Sequence, residues 1–178
     1  MTITLIQQFE NANMNRYQIA FLASGDPNDK KNSWSATWHY MEKALEKYCG
    51  DVFRIGPVQP ISAYAGKAAN KLAKSFLNKK FDYAHRVFFA KRFARIVARK
   101  LQQQTYDFVF APAASTEIAF LDTNLPIVYT SDATFALVAG YYDWFTDLFP
   151  STMAQGNAIE KRAITKASLV FYATQWAA

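Results

Sequence analysis

Short apolar runs that alternate with stretches of helical spacing predict an α/β domain, doubly wound in three layers around a mainly parallel sheet. Two observations carry this expectation. The first is the alternation itself, strand then helix, along nearly the whole chain. The second is the character of the strands. Tyr17-Gln-Ile-Ala-Phe-Leu-Ala23 and Asp107-Phe-Val-Phe-Ala111 are too apolar for a sheet with one wet face, so helices should cover both faces. The 178 residues, 51% hydrophobic and 19% charged, are enough for one domain with a real core. No repeat, low-complexity tract or linker divides the chain. Residues 1–16 read as an N-terminal extension and 17–178 as the domain.

The elements follow in order. Tyr17–Ala23 enters a loop at Ser24-Gly25-Asp26-Pro27, as a buried strand would. Asn32 and Ser33 offer N-caps to a helix over Trp34–Tyr48, whose apolar positions are Trp34, Trp38, Met41, Leu45 and Tyr48. Gly50-Asp51 is expected to stop it before a second strand, Val52–Ile55. The alanine- and lysine-rich stretch Ala63–Phe76 predicts one helix. Asp82 is placed to cap another that runs to about Gln104. On that second helix Phe89, Phe93, Ile96, Val97 and Leu101 share one face, opposite Lys91, Arg92, Arg95 and Arg99. The strand Asp107–Ala111 leads to Pro112 and a short helix capped by Ser115 or Thr116. The strand Pro126–Thr130 ends in Ser131-Asp132-Ala133-Thr134. An aromatic loop (Tyr141, Tyr142, Trp144, Phe145, Phe149), a helix over about Gln155–Thr165 and a strand Ala167–Tyr172 complete the series.

Composition excludes several classes. Cys49 is the single cysteine, so no internal disulfide forms; that usage fits a reducing, cytoplasmic setting. Its place near a helix end predicts a packing role. No run approaches the ~18–20 apolar residues of a membrane span, and Met1–Arg16 lacks the pattern of a signal peptide. The net charge of +6 is local. Between Lys67 and Lys100 Asp82 is the sole acid, whereas acids outnumber bases elsewhere. This segment reads as a solvated face over a core stripe, or as a surface for anionic membrane lipid at the periphery of a bilayer. Nucleic acid is disfavoured, because neither a helix-turn-helix pattern nor an RNA-binding motif accompanies the charge.

Ligands of open α/β sheets sit outside the carboxyl ends of the strands. The segments expected at that edge are Ser24–Ser33, Pro112–Thr116, Thr130–Thr134 and Ala173–Trp176. The first lacks the spacing of a dinucleotide fingerprint or a P-loop. Gly25 there is either a turn glycine or a point of close backbone approach. Asp132 follows a buried strand directly. It can accept a substrate hydroxyl or act as a base, and it can also cap the helix beginning at Ala133. Ser115 and Thr116 read as caps rather than nucleophiles, since neither His39 nor His85 is placed to activate them. Both histidines are expected to be structural. No cluster has metal-ligand spacing.

Read together, three stretches resemble the N-terminal domain of retaining GT-B glycosyltransferases of family 4. They are Ser24-Gly-Asp-Pro27 with Trp34-Ser-Ala-Thr37, then Pro126-Ile-Val-Tyr-Thr-Ser-Asp-Ala-Thr134, then Glu160 and Ala167 with Tyr172-Ala-Thr-Gln-Trp-Ala-Ala178. The resemblance spans about Tyr17 to Ala178. It departs from the family in having one glycine in the first loop, Ala36 where glycine is commoner, and Thr174 for a serine. It implies the Rossmann-like N-terminal half of a GT-B fold, on the acceptor side of a cleft. Gly25 would approach a donor phosphate or sugar, and Trp34, Ser35 and Thr37 would shape the acceptor side. Asp132 stands where many relatives have a histidine that contacts the donor sugar. With the other loop residues, the candidate substrate-binding set is Gly25, Asp26, Trp34, Ser35, Thr37, Ser115 and Thr134, and Asp132 is the candidate catalytic residue. The resemblance also implies a hexose carried by a nucleotide diphosphate sugar, and a sugar, lipid or glycan as acceptor. The partner would be a C-terminal domain that holds the donor. Alone, this chain would hold no cofactor and catalyse little or nothing.

Overall fold

A computed structural model describes residues 16–31, 34–58 and 62–177. Among these, five parallel strands form one sheet in the order β2-β1-β3-β4-β5, with β1 at Tyr17–Phe21, β2 at Gly50–Arg54, β3 at Phe108–Pro112, β4 at Ile127–Ser131 and β5 at Leu169–Tyr172. Ile19 pairs with both Val52 and Phe108, Val109 with Ile127, and Val128 with Leu169. The chain runs outward from β1 to β2 and then returns to β3 on the other side of β1. The order therefore reverses between β1 and β3, where loops part and leave a crevice.

Alternation along each strand sorts the core into two faces. Ala20, Leu22, Val109, Ala111, Ile127 and Tyr129 point to one face. There they meet Phe89, Phe93 and Val97 of α3 (Val87–Leu101), Ile118 of α4 (Ser115–Ile118), and Ile159 and Ala163 of α6 (Pro150–Lys166). Ile19, Phe21, Ala23 and Phe110 point the other way, against Trp38 of α1 (Thr37–Tyr48), with Met41 and Leu45 partly buried beside it. The result is an α/β fold of Rossmann-like form. Lys91, Arg92, Arg95 and Arg99 are exposed while Phe89, Phe93, Val97 and Leu101 are buried and Ile96 partly buried, so α3 divides its faces as its spacing requires.

Several boundaries differ from the sequence reading, each for a local reason. The first helix starts at Thr37, because Trp34, Ser35 and Ala36 have φ of 50°, 53° and 65°. Three left-handed residues cannot continue into a right-handed helix. The proposed caps Asn32 and Ser33 lie outside the described residues. Gly50 belongs to β2, where a Cβ would strike the Tyr17 carbonyl. Asp82 closes a turn by accepting from the N–H groups of Ala84 (3.1 Å) and His85 (3.5 Å), and α3 begins only at Val87. Pro150 opens α6 five residues earlier than expected, at the first helical turn, where its missing N–H costs nothing. Neither Ser115 nor Thr116 caps α4. The N-cap is Ala114, and no side chain closes that end. Cys49 is exposed rather than packed. Between β2 and α3 lies α2 (Ser62–Leu77), which touches the body through Gly66 against Tyr83 and through Asn70, whose Oδ1 accepts from the Phe81 N–H at 2.8 Å.

Candidate functional site

A cavity of about 890 Å³ opens at the carboxyl ends of β3 and β4. The loop after β1 supplies Lys31, Trp34, Ser35 and Thr37 to it, the turn after β3 supplies Ala113 and Ser115, and the end of β4 supplies Thr130 to Ala133. Sequence-distant segments meet here because parallel strands all send their carboxyl ends to one edge.

At the mouth, the Trp34 indole Nε1 donates to Asp132 Oδ2 at 3.2 Å. Trp34 packs on Trp38 with ring centroids 6.2 Å apart, and Trp38 Nε1 donates to the Pro112 carbonyl at 3.2 Å. Asp132 is exposed, and it accepts from the Trp34 indole and the Ser131 hydroxyl rather than from a helix N–H. The N-cap of α5 (Phe135–Val138) is Thr134, whose carbonyl accepts from Leu137 and Val138, both at 3.1 Å. The geometry at this edge is therefore that of a carboxylate held by an indole.

The floor is built differently. Tyr129 Oη donates to Glu160 Oε1 at 2.8 Å, and the Tyr172 hydroxyl reaches the same oxygen at 3.5 Å. Burial pushes the Glu160 carboxyl up, against the opposing pull of these donors and of nearby His85. The Tyr129 hydroxyl is also driven up by burial and by the Glu160 charge, and that of Tyr172 is pushed up to about 12. Glu117, just outside the cavity on α4, is raised by burial too; Thr116 Oγ1 donates to its Oε2 at 2.6 Å.

His85 forms part of the wall, with the tilted Phe135 ring 4.5 Å and the edge-on Phe145 ring 5.8 Å from its own. Its Nδ1 lies 2.6 Å from Asp82 Oδ2. Burial alone would raise the Asp82 carboxyl, but the hydrogen bond and charge of His85, with two backbone N–H groups, hold it below the ordinary range. The start of α3 is pinned to α6, since the Val87 N–H donates to Gln155 Oε1 (2.9 Å) and Arg86 Nη1 to Ser151 Oγ (2.8 Å). That pinning delivers His85 to the cavity that Ser115 also lines. The spacing Asp82-x-x-His85 was the available signal, but in the sequence Asp82 reads as a cap.

Among the sequence-expected residues, Trp34, Ser35, Thr37, Ser115 and Asp132 come together in this cavity. Gly25, Asp26 and Thr134 are not in its lining. A Cβ on Gly25 would overlap the Trp38 ring, so the glycine makes room for that indole. Asp26 Oδ1 closes its own loop by accepting from the Asn28 N–H at 2.9 Å, and lies 3.9 Å from Arg54. Lys91, Arg92, Arg95 and Arg99 form a separate surface, where the Arg92 guanidinium lies 4.5 Å over the exposed Phe88 ring. Among the described residues no group of three His, Cys, Asp or Glu is placed to hold a metal, and no helix is long and apolar enough to cross a membrane.

No family model matches the chain, and no curated protein or solved structure matches it either.

Proposed function

We propose that the chain is the acceptor-binding half of a retaining glycosyltransferase of the GT-B, family 4-like kind. The observation that carries this reading is the single cavity in which Trp34, Ser35, Thr37, Ser115 and Asp132 converge, with the Trp34–Asp132 hydrogen bond across its mouth. A sugar offers apolar C–H faces and paired hydroxyls. Indole and phenyl surfaces suit the first, and a solvated carboxylate suits the second. Asp132 would accept hydroxyls of the acceptor or of the incoming hexose near the reacting carbon. The nucleotide diphosphate sugar would be held mainly by a C-terminal domain across the cleft, and the hexose would pass to a sugar, lipid or glycan with retention.

Titration with methyl α-D-glucopyranoside and methyl α-D-mannopyranoside, followed through the Trp34 indole N–H resonance, tests this directly. Millimolar binding is expected. A nucleotide sugar that binds more tightly than every glycoside overturns the acceptor-side assignment.

A second reading is a binding domain that meets anionic lipid through the basic 67–100 helices. One feature of α2 favours it. Its Tyr64, Leu72 and Phe76, two turns and then one turn apart, are exposed, Phe76 by 80%, with Lys67, Lys71 and Lys74 beside them. An apolar stripe flanked by lysines suits an anionic bilayer better than a nucleic acid backbone. Vesicles with and without phosphatidylserine, compared with oligonucleotides across a salt series, separate the two. Failure to bind either at low salt removes the reading.

A further inference from the structure

The histidine in the cavity wall has no part in the reading above, and its surroundings give it one. His85 borders two cavities, the large one at the strand ends and a smaller one of about 330 Å³ that Asp82 also lines. Its Nδ1 lies 2.6 Å from Asp82 Oδ2, and Asp82 lines the smaller cavity but not the larger one. Phe135 and Phe145 pack on the ring and fix its plane. In the neutral ring, a carboxylate that accepts from Nδ1–H sets the tautomer and leaves Nε2 as the acceptor. The same cavity is lined by Ser115 and by Glu160, whose carboxyl group is already engaged by Tyr129.

We infer that His85 is a hydroxyl-binding residue of the large cavity, with Nε2 accepting a hydrogen bond from a sugar hydroxyl and Asp82 positioning the ring. This deepens the carbohydrate reading and rests on it. The mouth, at Trp34 and Asp132, and the wall, at His85, would grip the same glycoside from two sides.

The test is a long-range proton–nitrogen correlation spectrum of the whole chain labelled at histidine, with His39 and His85 distinguished by His85→Gln. Without ligand, His85 should be in the Nδ1–H form, and Asp82→Asn should mix the tautomers. Saturation with methyl α-D-glucopyranoside or methyl α-D-mannopyranoside should shift the Nε2 resonance together with the Trp34 indole. His85→Gln should weaken the glycoside on the order of tenfold, the worth of about one hydrogen bond. The spectrum of the unsubstituted chain decides the matter even where that variant folds poorly. A Trp34 shift with His85 unmoved overturns the inference and leaves the carbohydrate reading standing. Movement of His85 alone supports the inference and counts against the mouth as the gripping surface. An Nε2–H tautomer in the free protein, or no shift at either residue, overturns it.

Discussion

The floor and the mouth of the cavity are made of the same kinds of group, carboxylates and aromatics, and put them to opposite use. At the floor, Glu160, Tyr129 and Ser115 are buried, and Tyr129 is hydrogen-bonded to Glu160. Satisfied groups of this kind hold β4 to α6 and have little left to offer a ligand. At the mouth, Asp132 is open to solvent and Trp34 is half-buried on a left-handed stretch of backbone. Such conformations cost roughly 1–3 kcal/mol each and persist where the surroundings, or a function, require them. The difference teaches that a residue type does not declare its role. The balance of burial and satisfied hydrogen bonds does so.

The comparison can be broken most severely at the floor. Tyr129→Ala removes a fully buried ring and leaves Glu160 without its nearest donor. Urea unfolding should show a loss of about 3–5 kcal/mol, the range for large aromatic truncations in cores. A loss below about 1 kcal/mol would show that the floor does not carry the fold.

The pH dependence of stability sharpens the contrast. Burial raises Glu160 above its usual value near 4.5, so the native state binds more protons than the unfolded chain. Its contribution is complete below that value and falls as pH rises through the folded pKa. Glu117 adds a slope of the same sign. Asp82, held low, has the opposite sign: its contribution is present above its usual 3.8 and lost on acidification. Glu160→Gln should therefore gain stability relative to the native chain between pH 4 and pH 8, read from urea midpoints. A difference that does not change with pH would contradict the assignment.

Smaller effects belong to the mouth. Ala36 sits at φ 65°, where an L-residue pays about 1–2 kcal/mol that glycine avoids. Glycine also loosens the unfolded chain by about 0.4–1 kcal/mol. Ala36→Gly should leave a net gain of about 0.5 kcal/mol in thermal unfolding, and a clear loss would place the left-handed run in doubt. Asp132→Asn should move stability least, by under about 0.5 kcal/mol, because the carboxylate is exposed and the amide oxygen can still accept from Trp34.

How much of this was legible in the sequence follows from which interactions are local. β1, β3 and β4 announce themselves because strands buried on both faces must be apolar throughout, and α3 because its phenylalanines and arginines keep helical spacing. The strand-end loops followed from topology, and with them Asp132 and Ser115. His85 did not follow. It reaches the cavity only because Arg86 and Val87 are tied to Ser151 and Gln155, some 65 residues on, and no local pattern encodes that pinning. The run Trp34–Ala36 was hidden for a related reason. It carries helical spacing and no glycine, so its left-handed backbone is imposed by packing against Trp38 and Asp132 rather than by residue preference. Gly25 was visible as a glycine, but its reason, the Trp38 ring above it, was not.

The most direct test of the carbohydrate reading is the affinity of the native chain and of Asp132→Asn for the better of the two methyl glycosides, measured by calorimetry beside a thermal melt of each. The proposed role of the mouth requires at least a tenfold weaker Kd in the variant, about 1.4 kcal/mol, with an unchanged melting temperature. Equal affinities, or a loss that appears only with unfolding, would contradict it.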